Sequence, residues 1–277
     1  MLGMTSPVTA EEIDSFQRDG AICLRGKFNN ELIERMQNAI ERIKSAPSKD
    51  YGFNLGTKEH KGEFFNDLYM WMRDEDFRNI GLHSPAAEIV GRLMKSQRAN
   101  LFYDQLLVKE PGAEAPTPWH HDLTYWCVAG HQVSSVWIAF DPVDSLSGQV
   151  EFIRGSHLWG TEFDPADFAE FKKKGLFNSG GLPAVPDIES CRSDYDIISW
   201  DLEPGDCLVF HSLTMHHSAA NQTTDRRRRG LSIRYTGDDA VYYDRPGSSK
   251  PPLPHGLQDG DPISGDVFPL AWQNVNH

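Results

Sequence analysis

At 277 residues, with 39% hydrophobic, 11% aromatic and 24% charged residues, the chain is long enough for one large domain with a full core. Its composition is that of an ordinary globular protein, which excludes disorder or coiled coil for the bulk of it. A formal net charge of -13 opposes attraction to phosphate backbones and anionic lipid, so nucleic acid and membrane surfaces are not expected partners. Cys23, Cys127, Cys191 and Cys207 lack Cys-x-x-Cys or zinc-ribbon spacing, Met1 to Gly20 lacks a basic stretch followed by an apolar core, and no run approaches the roughly eighteen apolar residues of a membrane span. A reduced, cytoplasmic protein is expected.

In chain order, Thr9 and Glu12 have capping-box spacing, and Ile13 and Phe16 lie one turn apart before Gly20, which predicts a short helix. Ala21 to Leu24 reads as a brief strand. Asn30 then caps a longer helix with Ile33, Met36, Ile40 and Ile43 on one face, closed by Pro47. Tyr51 to Phe77 is irregular and rich in aromatics, as core or as a pocket wall. Ser84-Pro85 opens a third helix with Ile89, Val90, Leu93 and Met94 as its buried stripe. After Asn100 the pattern changes to short strands separated by turn residues, which predicts an antiparallel sandwich or barrel. The expected strands are Leu101 to Lys109, Trp119 to Tyr125, Ser134 to Phe140, Val150 to Ile153, Cys207 to His211 and Gly230 to Thr236. Trp159 to Asp196 is a long excursion with a short helix expected around Pro165 to Lys173, either a lid or a surface decoration. The proline-rich tail beyond Arg245 reads as an extended strap.

Within this frame, Trp119-His120-His121-Asp122 holds a candidate metal site. In an extended strand His120 and Asp122 share a face while His121 points away. One more imidazole from a distant strand, for which His216 is the candidate, completes two histidines and a carboxylate with open positions, the set used by non-haem Fe(II) oxygenases. His217 is the rival for that third place. The run Arg226 to Arg229 reads by itself as a solvated loop.

The ordered motifs Lys109-Glu110-Pro111-Gly112, Trp119-His120-His121-Asp122, Trp137-Ile138-Ala139, Phe152-Ile153-Arg154-Gly155-Ser156-His157, Pro204-Gly205-Asp206, His216 and Asn221 resemble the phytanoyl-CoA dioxygenase (PhyH) family. The resemblance covers about Leu101 to Tyr235. It implies a mostly β protein with flanking α-helices around a double-stranded β-helix, the cupin-like jelly roll. The whole chain, 1-277, is then a single oxygenase domain with a mainly helical part at 1-98, a jelly-roll core at 99-240 with an insertion at 160-196, and a C-terminal extension at 241-277. It further implies His120, Asp122 and His216 as iron ligands, with His216 preferred over His217 because a small residue and a serine follow the ligand in the family. Arg228 is the implied anchor of the distal carboxylate of 2-oxoglutarate, with Arg227 second, and Lys109, Trp137 and Ser218 line the cosubstrate site. The implied cofactors are Fe(II), 2-oxoglutarate as cosubstrate and O2.

The activity implied is hydroxylation, or a related oxidation, of a small organic molecule with release of succinate and CO2. A carboxylate at Asp122 argues against halogenation, since halogenases on this scaffold keep a small residue there. A cupin-like metal-dependent isomerase or hydrolase and a catalytically silent jelly-roll binding protein are the alternatives, and the downstream arginine opposes the first of them. Tyr51 to Trp71 and Phe163 to Phe177 are candidate walls for an apolar substrate. Neither the substrate nor the oligomeric state follows from the sequence.

Overall fold

A computed structural model describes residues 6–56, 60–165 and 181–275. Helix α1, Ala10–Asp19, starts at a reciprocal capping box: the Thr9 side chain accepts from the Glu12 N–H, and the Glu12 carboxylate accepts from the Thr9 N–H. It stops at Gly20, whose φ of 77° is the left-handed conformation that costs glycine least. Strand β1, Ala21–Leu24, follows, and then α2, Asn30–Ser45. The cap of α2 is Asn29 rather than Asn30, its side chain accepting from the Leu32 N–H at 2.9 Å. Both asparagines are good caps, and the one with extended backbone takes the role.

The stretch read as irregular contains β2, Phe53–Asn54, and β3, Phe64–Leu68, followed by a helix that the sequence reading missed, α3, Glu75–His83. Asp74 caps α3 by accepting from Asp76 and Phe77, a signal hidden by the surrounding charges. The expected third helix is therefore the fourth, α4, Ala86–Leu93, with Ile89, Val90 and Leu93 buried as expected.

The remaining strands are β4 Arg98–Lys109, β5 Thr117–His120, β6 Val128–Ala129, β7 Val133–Ala139, β8 Val150–Ile153, β9 Ile197–Ser199, β10 Cys207–His211, β11 His216–Ser218, β12 Arg228–Thr236, β13 Val241–Tyr242 and β14 Leu270–Gln273. The helix expected around Pro165 to Lys173 falls, apart from Pro165, outside the described residues. The C-terminal strap runs back to the sheet, where β14 pairs with β4.

The major sheet has the order β1-β10-β7-β12-β4-β3-β2, and the minor sheet β5-β11-β8-β9. Every pairing within them is antiparallel. The strand alternation sorts the major sheet into two faces. Leu106, Val108, Val136, Ile138, Val209, Leu231 and Ile233 point outward into one core with Ile33, Met36 and Ile40 of α2 and Ile89, Val90 and Leu93 of α4. Trp137, Ala139, Leu208 and Phe210 point inward and pack with Val150 and Phe152 of the minor sheet. The result is the expected jelly roll with helices on one face, and its interior is where the functional side chains lie. No helix among the described residues is long and apolar enough to cross a membrane.

Candidate metal centre

Strand β5 ends at His120, earlier than the sequence reading placed it. Asp122 has helical backbone, with φ of -79° and ψ of -34°, and heads a 3-10 turn over Leu123–Tyr125. Strand parity therefore does not bring the two residues together: Asp122 reaches the side of His120 because the chain turns. The turn is pinned by the Ser212 carbonyl, which accepts from the N–H groups of both Asp122 and Leu123 at 2.8 and 3.0 Å. His121 does point away, and its Nε2 accepts from the Phe163 N–H at 2.8 Å.

His216 on β11 is the direct cross-strand partner of His120 on β5. The two imidazoles are held in the same way. Nδ1 of His120 lies 2.8 Å from the Pro118 carbonyl, and Nδ1 of His216 lies 2.9 Å from the Thr214 carbonyl. A carbonyl can only accept, so both Nδ1 atoms carry the proton and both Nε2 atoms present a lone pair. The Nε2 atoms are 3.5 and 3.8 Å from Oδ1 of Asp122. Its other oxygen, Oδ2, accepts from the Ser135 hydroxyl at 3.2 Å and lies 3.9 Å from Arg234.

The ligand atoms of His120, Asp122 and His216 all fall within 4.8 Å of one another, and no other such cluster occurs among the described residues. Burial, and then the charge of His120, push the His216 imidazolium down to about 3, so this ring is neutral at ordinary pH. Burial alone raises an Asp122 carboxyl. Its neighbours His120, His216 and Arg234 outweigh that and hold the group below the usual carboxylate range, so it is ionised at ordinary pH. A neutral imidazole and a carboxylate are the protonation states that bind a cation, so this donor set fits a divalent metal without a proton having to leave.

His217 does not compete for the centre. Its ring stacks on Trp119 at 5.1 Å, and its Nδ1 lies 3.4 Å from Glu151.

Of the other sequence-predicted residues, Trp137, Ser218 and Arg228 line one end of the same cavity, whereas Lys109 is not part of the lining and reaches it only through its bonds to Ser218. Arg228 is 1% exposed and has no carboxylate within ion-pair distance among the described residues. Its Nη2 donates to the Ser218 hydroxyl at 3.3 Å, its guanidinium lies over the Trp137 indole at 5.4 Å, and its Nε has no hydrogen-bond partner. Burial pulls this guanidinium down to about 10. Lys109, fully buried, donates to the carbonyl and hydroxyl of Ser218 at 3.2 Å each and to the Ala219 carbonyl. Burial, with Arg228 nearby, draws its pKa well down.

The other arginines of the run are spoken for. Arg226 pairs with Asp144, Arg227 with Glu110 and Glu41, and Arg229 with Asp141. Arg229 departs from the solvated reading, since its side chain is only 12% exposed.

The cavity is also lined by Leu55, Phe64 and Leu68, so part of the aromatic stretch does form a wall. Of the second expected wall, Phe163 is buried near His121, and residues 166–180 lie outside the described residues. Arg234, Gln105, Asn66 and Tyr103 line the cavity too and were not anticipated. For Arg234 the signal was available, because the alternation that puts Arg228 and Ser232 on one face continues to Arg234.

The fold recurs in solved structures. The epimerase SnoN from nogalamycin biosynthesis, in complex with Fe3+, alpha ketoglutarate and nogalamycin RO, superposes with a TM-score of 0.74 at 22% identity, over 95% of this chain and 98% of that one. Among characterised sequences, the multifunctional dioxygenase prhA of Penicillium brasilianum is 22% identical over 240 residues, 81% of this chain and 71% of its own length. The peroxisomal phytanoyl-CoA dioxygenase of Homo sapiens is 21% identical over 258 residues, 88% of this chain and 72% of that protein. The sequence model of the phytanoyl-CoA dioxygenase (PhyH) family matches residues 16–230, a span that takes in His120, Asp122, His216 and Arg228, and the chain belongs to that family.

Proposed function

We propose that the protein is an Fe(II)- and 2-oxoglutarate-dependent dioxygenase that oxidises a small organic molecule and releases succinate and CO2. The observation that carries this reading is the pairing of two features in one cavity. A buried cluster of two imidazoles and one carboxylate stands at its centre, and a buried arginine without a carboxylate partner stands at its end. A buried guanidinium left alone is costly, so the site is built for a carboxylate to arrive.

In this reading His120, Asp122 and His216 would hold the iron. Iron and 2-oxoglutarate together supply the oxidising chemistry, with 2-oxoglutarate decarboxylated to succinate as O2 is consumed. Ser135 holds Oδ2 of Asp122, which disposes the carboxylate to bind through one oxygen. Arg228 grips the distal carboxylate with its planar fork, and Trp137 walls the guanidinium. Ser218 and Lys109 fix the floor beneath it. The neighbouring apolar walls, Leu55, Leu68 and Val150, exclude water from the reacting C–H bond. The cysteines among the described residues are all free, in keeping with a reducing, cytoplasmic compartment.

The test is an anaerobic titration of metal-free protein with Fe(II) and then 2-oxoglutarate, following the visible metal-to-ligand charge-transfer band. Wild type should develop the band and His120→Ala should not. Arg228→Ala should require about ten- to hundred-fold more 2-oxoglutarate, the worth of a charge-assisted pair. Iron binding without the band in wild type would sink the proposal.

A further inference from the structure

The cavity holds a second buried arginine, which faces the outer oxygen of Asp122 and takes no part in the Arg228 grip. Arg234 lies on the same inward face of β12, roughly 20 Å further along the extended chain, at the Asp122 end of the cavity rather than the Ser218 end. A five-carbon diacid bound at Arg228 does not reach it.

The group is built in rather than left over. Arg234 is 5% exposed, and its guanidinium lies against the rings of Tyr103 at 4.7 Å and Trp126 at 5.6 Å. Those rings are locked to each other by the Trp126 Nε1–H donating to the Tyr103 hydroxyl at 2.6 Å. Nη2 of Arg234 donates to Gln105 Oε1 at 2.8 Å and Nη1 to the Ser232 carbonyl at 3.3 Å, while Nε has no partner. Gln105 in turn donates to Asn66 at 3.2 Å, so the amide beside the arginine is oriented as well. The Ser232 hydroxyl, next on the same strand face, is also buried without a partner.

Among the described residues the one carboxylate near Arg234 is Asp122, at 3.9 Å. A divalent ion bound by that carboxylate weakens its hold on the neighbouring guanidinium without removing its charge. The charged walls of the cavity are two arginines against one carboxylate. A divalent ion and a dianionic cosubstrate cancel each other, which leaves one uncompensated positive charge. An unpaired charge in a cavity walled by Leu55, Leu68 and Leu107 is costly unless a further anion occupies the site.

We propose that Arg234 is the specificity-determining residue for the primary substrate, an otherwise apolar organic acid whose carboxylate docks on its guanidinium. This rests on the oxygenase reading, since it assigns the 2-oxoglutarate dianion to Arg228. Tyr103 and Trp126 keep the fork flat and leave its Nε edge for the ligand, while the aliphatic walls receive the hydrocarbon part.

The experiment uses hexanoate and its neutral isostere hexanamide as probes, titrated anaerobically into the Fe(II) and 2-oxoglutarate complex. Tryptophan emission reports binding, because Trp126 stacks on Arg234, and the charge-transfer band is recorded on the same samples. Hexanoate should produce a saturable change with the band retained, and hexanamide none. Arg234→Gln should weaken hexanoate by about ten-fold or more, and Arg234→Lys by less, since charge is kept but the planar fork is lost. The proposal is overturned if hexanamide binds as well as hexanoate, if hexanoate gives no saturable change, or if hexanoate erodes the band by competing at Arg228. Should Arg234→Gln fail to fold, the wild-type comparison of acid and amide decides alone. Absence of the band in wild type sinks the oxygenase reading, whereas a band without preference for hexanoate sinks only the carboxylate assignment.

Discussion

The smallest residue in the site sets the position of its largest. Gly230 sits between Arg228 and Ser232 on the inward face of β12, and a Cβ there would lie 2.0 Å from Cζ2 of Trp137. The indole occupies that space and forms the wall on which Arg228 lies. Gly230→Ala should therefore displace the ring, cost about 1–3 kcal/mol as overpacking, and raise the 2-oxoglutarate requirement by about ten-fold. Charge-transfer titration and a denaturant midpoint on the same variant check both numbers, and wild-type affinity with an intact midpoint would show that the indole is not the wall. Composition and motif order made His120, Asp122, His216 and Arg228 legible. Arg234 was legible only as a position, through the alternation that follows Arg228 and Ser232, because no motif contains it and its neighbours Asp122, Tyr103 and Trp126 meet it only in the folded chain.

At the level of elements, the connection from β11 to β12 carries the chain from His216 to Arg228, and Asn221 clamps it. The Asn221 Nδ2 donates to the carbonyls of Lys109, Glu110 and Arg226 at 3.1, 3.1 and 2.8 Å, while Oδ1 accepts from the N–H and hydroxyl of Thr223 at 3.1 and 2.6 Å. An amide satisfied on both ends in a buried loop is hard to replace. Asn221→Ala should cost about 2–3 kcal/mol in a denaturant titration. Asn221→Asp should be no better, since a carboxylate would face three carbonyls, and an aspartate variant of wild-type stability would contradict the clamp. The sequence made Val150–Ile153 and Cys207–His211 legible to the residue, because Gly and Pro turns bound them. It concealed β3 and α3, whose buried polar residues Asn66 and Asp67 and charged cap break the apolar periodicity. It also placed Asp122 in a strand, because the turn that ends β5 is imposed by the Ser212 carbonyl, a tertiary contact.

For the molecule as a whole, acid should be destabilising through a second histidine group, separate from the three metal-centre residues. His211 is buried at the end of β10, its Nδ1 accepts from the Leu213 N–H at 3.0 Å, and His157 and His131 lie at ring distances of 5.3 and 6.5 Å. Burial first, and then the charge of His157, push the His211 imidazolium down to about 4, with Asp239 opposing weakly. The unfolded chain binds this proton at about pH 6.5 and the folded chain does not. The stability contribution is therefore complete above that pH and is lost as pH falls toward about 4, on the order of 2–3 kcal/mol in all. His157, lowered in the same direction, adds to the slope. Denaturation midpoints between pH 7 and pH 5 should fall for wild type and fall less for His211→Asn, which keeps an acceptor for the Leu213 N–H; equal slopes would exclude His211 as the group.

The facing of His120 and His216 across β5 and β11 also governs the order in which the protein and its metal come together. The two strands belong to distant parts of the chain, with β6 to β10 between them, so their pairing closes a long loop and is an expensive contact to make early. In the unfolded chain these imidazoles lie far apart and the site does not exist, so an ion bound at it favours the closed jelly roll, adding stability in proportion to the logarithm of the free ion concentration.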